Sequence, residues 1–78
     1  MPISNREIAQ LQKVIARLKK RQKRWIEKRD TRLFKWALEG VEVSYDTRRY
    51  LFSWEITSVR RQIEAYTARL KEVKRDAQ

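Results

Sequence analysis

The stretch Phe52–Ala77 reads FSWEITSVRRQIEAYTARLKEVKRDA. Its apolar residues fall at Phe52, Ile56, Val59, Ile63, Tyr66, Leu70, Val73 and Ala77, in steps of 4, 3, 4, 3, 4, 3 and 4. A 3–4 alternation keeps one seam of an α-helix turned towards a partner along its whole length. Upstream, Ile8, Leu11, Ile15, Leu18, Trp25, Ile26, Leu33 and Trp36 draw a second stripe, and the only glycine, Gly40, lies between the two. The expected fold is all-α: a two-helix antiparallel hairpin, coiled-coil-like, with residues 1–78 as a single domain. A lone hairpin leaves the outer half of each stripe wet, so two copies are expected to associate into a four-helix bundle.

Local signals set the boundaries. Ser4 and Glu7 make an S-x-x-E capping box, and Ile3 and Ile8 occupy the positions of a hydrophobic staple. Helix 1 is predicted over about residues 5–39, the turn over about 40–45 and helix 2 over about 46–75. Asp30 and Thr31 are N-cap types, but Ile26, Arg29 and Leu33 keep the stripe in register through them, so helix 1 is read as continuous. Gly40 fits the left-handed position just past a helix end, with Val41 folding back towards Trp36. The β-branched, alternating Val41-Glu42-Val43 disfavours helix, and Ser44 or Asp46 supplies the next cap. Folding about the turn sets residues opposite one another when their numbers sum to about 84. Leu18 then meets Tyr66, Leu33 meets Leu51 or Phe52, Gln22 meets Gln62, and Arg29 forms a partly buried ion pair with Glu55.

Composition narrows the chemistry. The chain has neither cysteine nor histidine, which removes disulfides, thiol catalysis and the usual zinc ligand sets. No cofactor or metal is expected. Residues 1–10 lack the apolar core of a secretory signal, and a cytoplasmic location is expected. No apolar run approaches the ~18 residues of a membrane span. Twenty Lys and Arg against ten Asp and Glu leave a net charge of +10, a balance that suits polyanionic partners.

That charge is concentrated. Arg17, Lys19, Lys20, Arg21, Lys23, Arg24, Lys28, Arg29, Arg32 and Lys35 are opposed in their segment by Glu27 and Asp30 alone, so +8 of the +10 lies there. On a helical wheel Lys13, Arg17, Lys20, Arg24, Lys28 and Lys35 fall opposite the stripe, in a row ~33 Å long. Lys19, Arg21, Lys23 and Arg32 flank it. Solvated faces usually interleave acids with bases, and this one hardly does. The row is therefore read as a nucleic-acid contact made through phosphates. An acidic protein face is the alternative partner, and an anionic membrane surface is a weaker one because the tryptophans fit the seam. No helix-turn-helix, zinc-finger or RNA-recognition signature accompanies the row.

A second set of apolar residues lies off the stripes: Phe34, Leu38, Tyr50, Leu51 and Trp54. They are expected to form the homodimer interface or a docking patch for another protein. Tyr50 and Trp54, close in sequence to Arg48, Arg49 and Arg61, also have the aromatic-plus-basic character of single-strand binders. With no histidine or cysteine, acid–base catalysis would rest on Glu55 and Arg29, better explained as a structural pair, so the chain is expected not to be an enzyme. The resulting expectation is a small basic helical-hairpin protein of the phage- or plasmid-accessory or ribosome-associated type. The alternative is a protein–protein adaptor or inhibitor using the aromatic patch.

Overall fold

The computed structural model describes residues 5–76. Their regular structure is entirely helical: α1 (Asn5–Leu38, 34 residues), α2 (Tyr45–Tyr50, 6 residues) and α3 (Ser53–Asp76, 24 residues). α1 and α3 lie against each other in opposite directions. Glu7, in the first turn of α1, meets Arg69, near the end of α3, at 3.3 Å. Towards the other end, the Trp25 and Phe52 rings stand 5.5 Å apart. The molecule is a rod of 61 × 18 × 13 Å. The capping box and staple expected at Ile3 and Ser4 lie outside the described residues.

α1 passes through Asp30 and Thr31 without interruption. Its end is a Schellman closure: Val41 N–H donates to the Trp36 carbonyl (2.9 Å) and Gly40 N–H to the Ala37 carbonyl (3.2 Å). Gly40 adopts φ +71°, and a Cβ there would meet nothing within 4 Å. The demand for glycine is thus one of backbone conformation alone. Gly40→Ala is expected to cost about 1 kcal/mol and lower the thermal midpoint by roughly 4–8 °C, with helicity unchanged at low temperature. Calorimetry checks this, and an unchanged midpoint would contradict it. Beyond the turn Ser44 caps α2, its Oγ accepting from Thr47 N–H at 3.1 Å.

The second helix is not the single element expected over 46–75. It breaks at Leu51 and Phe52, between α2 and α3. Phe52 takes a left-handed φ of 56°, unusual for a side chain of its size. That conformation costs about 1–2 kcal/mol. Its offset is visible in the ring contact with Trp25 and in the Phe52 carbonyl, which accepts from Ile56 N–H (3.0 Å) to open α3.

The pairing register also differs. Glu7 with Arg69 and Trp25 with Phe52 give sums of 76 and 77, in place of about 84. Residues 41–44 are non-helical, with Ser44 extended (ψ 154°), as is the break at Leu51 and Phe52. Extended backbone advances ~3.3 Å per residue against 1.5 Å in a helix, so the non-helical stretches at 39–44 and 51–52, extended at Ser44 and Leu51, carry α3 about one heptad further along α1. A shift of one heptad preserves the phase of the seam, and stripe still faces stripe. Leu18 stands level with Val59, not Tyr66. Ile15, Leu18, Ile56, Val59 and Val73 are the buried core, and Tyr66 stays 40% exposed. Gln22 and Gln62 are not level, and the Arg29–Glu55 pair is not formed. Arg29 lies beside α2 residues in level, and its Nε instead approaches Asp30 Oδ1 at 3.2 Å.

Candidate nucleic-acid interface

The uninterrupted 34 residues of α1 are what make a long cationic face possible. With the seam turned towards α3, helical geometry sends the opposite side to solvent. Lys13, Arg17, Lys20, Arg24, Lys28 and Lys35 are all exposed, and so are the flanking Lys19, Arg21, Lys23 and Arg32. Successive members of the row are ~4.5–6 Å apart along the axis, apart from the gap between Lys28 and Lys35.

Charge is distributed unevenly around this face. Among the described residues, only Lys35 of these ten lies within ion-pair distance of an acid, Glu39, at 4.0 Å. The other ion pairs among the described residues are Arg29 with Asp30, and Arg69 with both Glu7 (3.3 Å) and Glu72 (3.5 Å), so the row stands out by its density of cations and not by their lack of acidic partners. Aromatic faces take the place of acids beside the row. Lys28 Nζ lies 5.1 Å from the Trp25 ring centroid, and the Arg32 guanidinium 5.7 Å from that of Trp36. Cation–π contact holds a charge in place without neutralising it. Arg17, Lys20, Arg21 and Arg24 line one shallow concavity, and Arg21, Arg24, Trp25 and Lys28 line the next.

No known family matches this chain, and no curated protein or solved structure is significantly similar to it. Function has to come from the side chains themselves.

The second set of predicted residues is divided by the fold. Phe34 (66% exposed), Leu38 (72%), Tyr50 (60%) and Trp54 (75%) are open to solvent, and Leu51 is half-buried. Trp54 stands level with the middle of the cationic row, about 22 Å along the axis from Leu38. Phe34 belongs to a cleft of roughly 370 Å³ at the turn end, shared with Leu33, Val41, Val43 and Arg48. Val41 and Val43 were not among the expected interface residues. The alternation after Gly40 that disfavours helix is also the sequence feature that marks them. Tyr45, 72% exposed, adds to the same open apolar surface and carried no sequence signal of its own. Among the described residues, no group of three acidic side chains is placed to hold a metal ion, and no helix is long and apolar enough to cross a membrane.

Proposed function

We propose that this protein is a non-enzymatic nucleic-acid-binding hairpin that grips the phosphate backbone with the outer face of α1. The observation carrying this reading is the dense run of exposed cations along that face. Lys13, Arg17, Lys20, Arg24 and Lys28 serve as phosphate partners, joined by Lys35, and Lys19, Arg21, Lys23 and Arg32 widen the field. Such a row displaces counterions from a polyanion, so binding weakens steeply as salt rises. Titration of labelled duplex and single strands at two salt concentrations tests it. Affinity that is unmeasurable at ~50 mM salt, or indifferent to salt, removes the reading. The absence of cysteine suits a reducing cytoplasm as its compartment.

The same reading includes a homodimer. The chain exposes 6758 Å², whereas a compact monomer of 9.6 kDa exposes roughly 5,100 Å². The excess, about 1,700 Å² per chain, is on the scale that each partner buries in an obligate dimer. Phe34, Leu38 and the cleft at the turn end are the natural apolar centre of that contact, two hairpins together bringing four long helices into one bundle. Light scattering should give about twice the 9.6 kDa chain mass, and Leu38→Glu should reduce it to one. A wild-type monomer at tens of micromolar would instead leave Phe34, Leu38 and Tyr50 to an acidic protein partner, the adaptor alternative.

A further inference from the structure

Among the described residues Trp54 is the most exposed of the large apolar side chains, at 75%, and it lies away from the turn end, where Phe34, Leu38, Val41 and Tyr45 are. It borders a cleft of roughly 260 Å³ between the helices, to which Arg21 and Trp25 contribute from α1 and Glu55, Ser58 and Gln62 from α3. Arg21 also lines the concavities of the cationic row on either side, with Arg17 and Lys20 in one and Arg24 and Lys28 in the other. The phosphate-binding row therefore runs without a gap into a cleft edged by a free indole. Trp25 is engaged with Phe52 and Lys28, so it forms a wall of this cleft and is not a free platform. Trp54 has no ring partner among the described residues.

We infer that Trp54 and this cleft receive an unpaired base, making a single strand the preferred nucleic acid of the α1 face. The inference rests on the backbone-binding reading and adds the base to it. A flat π-face beside a tracking row of cations is what sequence-tolerant single-strand binding requires. In a duplex the bases are stacked on one another and cannot reach Trp54 while the phosphates remain on the row. Glu55 supports the assignment. Its carboxylate, lining the same cleft, repels a phosphate and leaves the position to an uncharged base, whose ring N–H or amino groups it can accept from. Ser58 and Gln62 offer further donors and acceptors to any base edge. One heptad beyond Trp54, on the same side of α3, the exposed Arg61 is placed to meet the departing backbone.

The test compares a labelled oligothymidylate of about 15 nucleotides with a duplex of similar length at ~50 mM salt, for wild type, Trp54→Ala and Trp54→Phe. Wild type should prefer the single strand, and its tryptophan emission should be quenched on binding. Trp54→Ala should weaken single-strand binding about tenfold, roughly the ~1.4 kcal/mol of one stacked base, and leave duplex binding within twofold. Trp54→Phe should restore most of the affinity with little quenching. Because Trp54 is exposed, loss of helicity in either variant would itself contradict the assignment. If all three proteins bind both forms equally, the base site is wrong and the phosphate row stands. If wild type binds neither form, both fail.

Discussion

Replacing Arg17, Lys20, Arg24 and Lys28 together by alanine is expected to weaken duplex binding on the order of 10³-fold at ~0.1 M salt. The size follows from counterion release. Each phosphate neutralised contributes ~0.9 to the slope of log affinity against log salt on B-form DNA, so losing four contacts flattens that slope by about 3.6. Alanine is the best helix former, and all four side chains are exposed, so α1 should persist and the circular dichroism should not change. A second quadruple substitution provides the contrast. Alanine at Arg60, Arg69, Lys71 and Lys74, all exposed cations of α3, removes the same formal charge while leaving the row intact. Its effect should be many times smaller. Equal losses from the two sets would mean that net charge, not the α1 face, governs binding.

Leu18→Ala is expected to remove about 2–4 kcal/mol of stability, measured by urea unfolding followed at 222 nm. Leu18 is 8% exposed and level with Val59, itself 5% exposed, in a seam with only five buried apolar side chains among the described residues. A chain of this size holds roughly 4–12 kcal/mol in all, so the loss is a large fraction of the total. Tyr66→Ala is the discriminating comparison. The 3–4 stripe ranks Tyr66 equally with its neighbours, but it is 40% exposed. It should cost less than half as much as Leu18→Ala. Equal costs would place the two residues opposite each other, and the pairing seen here would be in error.

The contrast between Leu18 and Tyr66 shows what a stripe can and cannot convey. Its phase tells which face of each helix is apolar, and that suffices to put Lys13, Arg17, Lys20, Arg24 and Lys28 on the outside. Ends set by local chemistry were equally readable: Gly40 with Val41 bonded back to Trp36, and Ser44 as a cap. Register is different, because it depends on how far the connecting backbone advances and hence on dihedral angles that composition leaves open. The non-helical stretches at 39–44 and 51–52 move α3 by about a heptad, separating Arg29 from Glu55 and bringing Trp54 beside Arg21. The break at Phe52 has neither glycine nor proline to mark it. One hint was available: Tyr50, Phe52 and Trp54 recur every second residue, and a single helical seam cannot accommodate that spacing. The aromatic patch thus resolved into two places, one at the turn and one on the cationic row.

The contact between Glu7 and Arg69 has a practical consequence. Asn5 and Asp76 leave the rod at the same pole, about 50 Å from Gly40. The chain contains no native cysteine, so two thiols introduced there would take a fluorescent donor and acceptor without competition. Energy transfer between the dyes would be high while the hairpin is shut and would fall as its arms splay. Breathing of this pole becomes a distance signal, recorded with no label near Trp54 or the tip.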